Sequence, residues 1–193
     1  MGNTLSSGYK LFSSYWWKHW LSPGTYWYFV KYKIQRANRG WADCDVWGLD
    51  NYLSEWLPDA LKRLKKTKHG TPIRMFPENP EYIKEDGNPT ETAHDIAEKK
   101  WDETLDKMIA GFEAYNRMQG SPSSYEPELG EFPHLSWNFE PIGNGNSRLV
   151  RSEEENRQMD AWMAREKPLI ERDDKIWEEG GKLFIENFGS LWD

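Results

Sequence analysis

The chain has 193 residues, a formal net charge of -7, one cysteine and 12 tryptophans. That length can bury a core without staples, the lone Cys44 excludes an intramolecular disulfide framework and points to a reducing cytoplasm, and the acidic balance argues against bulk coating of nucleic acid. No apolar run approaches the roughly 18 to 20 residues of a membrane span, so no membrane span is expected.

Residues 1–24 read as an aromatic N-terminal arm, with Phe12, Tyr15, Trp16, Trp17, Trp20 and Leu21 crowded before Pro23 and Gly24. Two readings fit it: an anchor on a membrane surface, or an arm folded over the core. MGNTLS also matches the formal myristoylation pattern. The remainder, 25–193, reads as a single helical domain.

A first helix is expected from Thr25 to Asn38, with Trp27, Val30, Ile34 and Ala37 facing the core and Gly40 as its stop. The opposite face carries Tyr28, Phe29, Tyr32, Arg36 and Arg39, with Trp41 adjoining. Aromatic rings beside guanidinium groups can stack a base and hold a phosphate, so these six are the candidate ligand-binding residues. The bland alternative is a central helix buried on both sides.

The second helix is expected from Asp43 or Asp45, both competent N-caps, to about Lys66, with Pro58 kinking or dividing it. Val46, Leu49, Leu53, Leu57, Ala60, Leu61 and Leu64 share one face, and Asp50 falls inside that stripe. A carboxylate there needs a partner. After a proline-punctuated connection over 71–88, Asn88-Pro89 reads as a cap followed by proline at the first helical position. The helix it opens carries Ala97, Trp101, Leu105, Met108, Phe112 and Tyr115 on one face and ends at Gly120. His94 lies seven residues before Trp101, with Glu98 one turn later.

Residues 120–147 form a second long Gly/Pro-rich connection, and the aromatics within it, Trp137 and Phe139, favour its packing down. Beyond it, Trp162, Leu169, Ile176 and Leu183 are spaced by seven, as are Met163, Ile170, Trp177, Phe184 and Leu191. Such a stripe running past Pro168 and through Gly180 and Gly181 predicts one long helix, available to a homodimer as well as to the core. The expected fold is mostly α, a single-domain bundle of four or five helices with two long Pro/Gly-rich connections.

Asp50, His94 and Glu98 are the metal candidates, since a histidine and a carboxylate one turn apart with an aspartate on a neighbouring helix can hold a divalent ion. Glu103 and Asp106 add an ExxD pattern like that of all-α nucleotide pyrophosphatases, without the partner ExxE. The structural alternative is a buried network in which Arg36, a Trp indole or His94 answers Asp50. No GxSxG, Gly-rich phosphate loop, CxxC or HExxH occurs, which leaves nucleophilic catalysis without a candidate.

The stretches YWYFVKYKIQRANRGWADCDVWGLDNYLSEWLP, WDETLDKMIAGFEA and GKLFIENFGSLWD resemble a family of small helical proteins encoded by tailed bacteriophages and prophages. The resemblance implies a helical phage protein made in the bacterial host cytoplasm and carries over no activity or site residue. The expected function is non-enzymatic binding that sequesters a host defence protein or a small nucleotide signal, with no cofactor. The alternatives are a metal-dependent nucleotide hydrolase of the all-α type and a structural or packaging accessory.

Overall fold

The computed structural model describes residues 23–191, with side chains from Trp27 onward. The aromatic arm therefore falls largely outside the described residues, and with it both readings of the leader. The described residues are mostly helical and include five α-helices and one two-stranded sheet. No helix among them is long and apolar enough to cross a membrane. The chain divides into two compact units, Met1–Trp56 and Leu57–Asp193, where the sequence reading placed one domain over 25–193.

In the first unit, helix α1 (Pro23–Arg39) ends where Gly40 takes a φ of 82°, a left-handed conformation that favours glycine. A 3-10 turn, Asp43–Gly48, then runs directly into α2 (Leu49–Thr67). The expected sidedness of α1 is not kept: Trp27, Ile34 and Ala37 are exposed and Val30 half-buried, whereas on the other face Phe29, Tyr32 and Arg36 are half-buried and Tyr28 and Arg39 exposed. The cause is polar. Ion pairs from the Arg36 and Arg39 face draw the 3-10 turn onto that side of the helix.

Helix α2 is not divided at Pro58, and its stripe is not uniformly internal. Val46, Leu49 and Leu53 are exposed, while Leu57, Leu61 and Leu64 join the core of the second unit. Asp50 is exposed rather than buried, because its end of the stripe has no apolar cover among the described residues.

The second unit is built on α3 (Glu91–Gln119) and α5 (Glu153–Asn187). Thr90, not Asn88, caps α3, accepting from the Ala93 N-H at 3.2 Å. Asn88 is used earlier, its carbonyl accepting from Lys84 in a bridged turn that also pairs Ile83 with Pro89. The expected stripe of α3 is realised: Ala97, Trp101, Leu105, Met108 and Phe112 are buried with Leu61 and Met75. Each large apolar side chain so buried contributes about 1.5–3 kcal/mol before the opposing entropy.

Helix α5 begins with a capping box, Ser152 with Glu155, and continues unbroken past Pro168, Gly180 and Gly181. Its two apolar stripes flank a polar seam: Glu166, Asp173, Gly180 and Asn187, also spaced by seven, are all buried. Trp162 is buried, and Trp177, Leu183, Phe184 and Leu191 pack on the core cluster, so most of the stripe serves the chain's own fold, with Met163 left exposed. Gly180 is where the helices touch. A Cβ there would lie 2.5 Å from the Lys107 carbonyl oxygen, and one on Gly111 would lie 2.8 Å from Gly180 Cα.

The connection over 120–147 is more structured than expected. It contains a short helix α4 (Glu126–Leu129) and opens an antiparallel hairpin of β1 (Asn138–Gly143) and β2 (Asn146–Val150), in register Phe139 to Leu149 and Glu140 to Arg148. Gly143, Asn144 and Gly145 all have positive φ, the turn chemistry that closes such a hairpin. Trp137 and Phe139 do not pack down: Trp137 is 75% exposed, and Phe139 stands on a strand exposed along its length.

Candidate functional site

Three of the six predicted ligand residues, Phe29, Tyr32 and Arg36, line one cleft of about 520 Å³ in the first unit. Its other walls are Lys33, Cys44, Asp45, Gly48, Asn51, Tyr52 and Glu55. The remaining three stand apart from it. Tyr28 stacks on Tyr32 with ring centroids 6.0 Å apart, and the Arg39 guanidinium lies 3.8 Å from the centroid of the Trp41 ring.

The cleft exists because the two arginines of α1 are answered by the turn that follows it. Arg36 Nε donates to Asp45 Oδ2 at 3.0 Å and its terminal nitrogen pairs with Oδ1. Asp45 Oδ2 also accepts from the Ala42 N-H at 2.7 Å, which fixes the start of the turn. Asp43 takes Gln35 at 2.7 Å, Lys31 at 3.2 Å and Arg39. Tyr52 closes the far side by donating to the Gly40 carbonyl at 2.5 Å. The buried carboxylate that the sequence placed at Asp50 is therefore at Asp45, 7% exposed.

These contacts set the charges. The Gln35 hydrogen bond, then Arg39 and Lys31, hold the Asp43 carboxyl at about 2. Arg36 lowers the pKa of Asp45 against an opposing effect of burial. Burial, and then the adjacent Asp45, push the Cys44 thiol up. With Arg36 on Asp45 and Arg39 on Asp43, both guanidinium groups are already charge-matched. The cleft is also lined by the rings Phe29 and Tyr32, by Asn51 and Glu55, and by Lys33, whose ammonium lies 4.4 Å from the Phe29 ring centroid. This arrangement suits a planar ring with a polar edge better than a bare phosphate.

The metal candidates do not assemble. Asp50 is exposed in the first unit. His94 is exposed in the second, edge-on to Phe76 with centroids 4.9 Å apart, because the first turn of α3 buries Ala93 and Ala97 instead. Glu98 pairs with Lys68 at 3.2 Å, and Asp106 with Lys65 at 2.6 Å. Among the described residues no group of three or more His, Cys, Asp or Glu side chains is placed to hold a metal ion.

Sequence reasoning missed Asp43, Asp45, Asn51 and Tyr52. The signal was the pair of acids in WADCD, eight and nine residues beyond Gln35 and Arg36 across the Gly40 stop. The first unit also displays apolar surface. Val46, Leu49, Leu53 and Trp56, spaced by three, four and three, are exposed along one side, and Trp47 is 96% exposed. Comparison with known proteins returns no matching family model and no significant match among curated proteins or solved structures.

Proposed function

We propose that this chain is a phage-encoded, non-enzymatic binding protein that occupies a host protein in the bacterial cytoplasm through the exposed apolar face of its first unit. The observation that carries this reading is the row Val46, Leu49, Leu53 and Trp56, with Trp47 beside it, left open to solvent. Contiguous apolar exposure of this kind marks interaction surfaces, and tryptophan is enriched among the residues that dominate binding energy. The phage origin rests on the stretches that resemble phage and prophage proteins.

The test is capture from bacterial extract by the immobilised full chain, followed by reconstitution with the purified partner. Wild type should retain one stoichiometric host protein, and Leu53→Glu should weaken the reconstituted complex at least tenfold while leaving the helical circular dichroism signal unchanged. Retention of no stoichiometric partner overturns the reading. Retention of a phage structural protein instead would make the chain a packaging accessory.

A second reading is favoured by the cleft: a nucleotide signal whose base stacks on Phe29 and Tyr32 with its edge read by Asn51. Stacking contributes about 1–3 kcal/mol per base. Intact nucleotide released on heating the protein, and lost in Tyr32→Ala, supports it. Turnover of the nucleotide would instead point to a hydrolase.

A further inference from the structure

Arg151 stands at the junction of β2 and α5. Its Nε is shut off from solvent and has no hydrogen-bond partner among the described residues. That is unusual in a chain with 32 acidic and 25 basic side chains, since a buried N-H donor is ordinarily matched.

Two of the three carboxylates that follow in sequence, Glu154 and Glu155, are turned to other donors. Glu154 takes Arg157 at 2.6 Å and Gln158 at 2.9 Å, and Glu155 takes the Ser136 N-H at 2.7 Å and the Ser152 N-H at 2.8 Å. Beside Arg151, Arg148 is mostly exposed and forms a loose ion pair with Glu140 at 3.7 Å, beyond hydrogen-bond distance. Both arginines, with Asn156, line one cleft of about 270 Å³ whose remaining wall is Leu149 and Val150. The start of α5 adds nothing net to this site, because Ser152 caps it and its first turn is acidic.

We propose that this cleft binds a phosphoryl group, with Arg151 and Arg148 as its two guanidinium partners and Asn156 as a third donor. A dianionic, tetrahedral oxyanion offers acceptors to two forked cations at once, which a single carboxylate does not. The site lies wholly in the second unit, so it stands or falls independently of the partner surface and cleft of the first.

The experiment is thermal unfolding of the full chain in sodium phosphate against sodium chloride at matched ionic strength, with phosphorus NMR line width as a second readout. The melting temperature of wild type should rise saturably with phosphate. Arg151→Met should abolish that rise while melting in chloride at or above wild type, because a shielded donor without an acceptor has been removed. Arg148→Met, at an exposed side chain, should weaken the phosphate midpoint at least threefold and broaden the phosphorus line less. O-phosphoserine is the second arm: a midpoint below that of inorganic phosphate means the group arrives on a carrier, and equal midpoints mean free phosphate. A rise in wild type no greater than in chloride, a rise preserved in Arg151→Met, or a large loss of stability of Arg151→Met in chloride would each overturn the proposal.

Discussion

Each unit buries an aspartate against an arginine of a neighbouring segment, and the surroundings of the two pairs differ. Asp173 in the second unit is fully buried. It accepts from Arg117 at 2.7 and 3.0 Å, from Arg172 at 3.0 Å and from the Tyr125 hydroxyl at 3.1 Å, and it lies on a helix packed against Trp101, Met108 and Phe112 through flanking Trp177 and Phe184. Asp45 in the first unit has one arginine, Arg36, and the Ala42 N-H, and among the described residues of that unit only Ala42 and Ser54 are buried with it. The two regions show two ways of fixing a helix. One adds a polar seam to an apolar core, where it specifies register within a structure already stable. The other relies on the polar clamp and leaves its apolar residues outward, open to solvent.

The sharpest break of this comparison is Asp173→Ala, which takes the carboxylate from Arg117 and the Tyr125 phenol and leaves Arg172 with Glu128 alone. It should cost about 3–5 kcal/mol in urea denaturation. Asp45→Ala should cost less, about 1–2 kcal/mol, since it removes one guanidinium pair and one backbone acceptor from a turn with little apolar cover. Equal losses would remove the distinction between the two pairs.

The two ends of α2 provide the next test. Leu61 is 3% exposed and Leu53 is 39% exposed on the same stripe of one helix. Leu61→Ala should destabilise by about 2–5 kcal/mol, and Leu53→Ala by no more than about 0.5 kcal/mol, measured by the same denaturation. If Leu53→Ala proves as harmful as Leu61→Ala, the first half of α2 is not an open surface.

At the crossing of α3 and α5, Gly180→Ala would place a methyl group 2.5 Å from a backbone oxygen that cannot rotate away. The gain in helix propensity is about 1 kcal/mol, and the strain of forcing the helices apart should exceed it, leaving a net loss of about 1–2 kcal/mol. A melting temperature that rises would show that the helices separate at little cost.

The smallest effect is a titration. Burial, and then the charge of Asp173, push the Tyr125 phenol up to about 12. Its ordinary value is about 10, so above that pH the unfolded chain loses this proton before the folded one does. The stabilisation is complete below about pH 10 and is lost as pH rises through about 12. Tyr125→Phe should lack this component of the alkaline loss. On the acid side the sign is opposite: burial raises the Asp173 carboxyl, but Arg117 and Arg172 outweigh it and hold the group low. Its contribution is present above the ordinary carboxylate range and is lost as pH falls through the depressed value.

Sequence alone determined the features that are local. The Gly40 and Gly120 stops, the stripe of α3 from Ala97 to Phe112 and the continuity of α5 past Pro168 and its glycine pair each follow from propensity, capping and period within one segment. Only the tertiary structure decided sidedness and partners. Periodicity identifies which residues share a face, but it does not say which neighbour covers that face. For that reason Asp50 and His94, centred on apolar stripes by count, stand at ends of those stripes where the cover stops. The same limit applies to α1, whose Tyr32 and Arg36 face turned inward because acids eight and nine residues downstream pull the turn onto it. In α5 the seven-residue period was legible as two apolar stripes. That Glu166, Asp173, Gly180 and Asn187 lie buried between them depends on Ser121, Arg117 and Gly111 standing opposite, from segments 45 to 69 residues away in the chain.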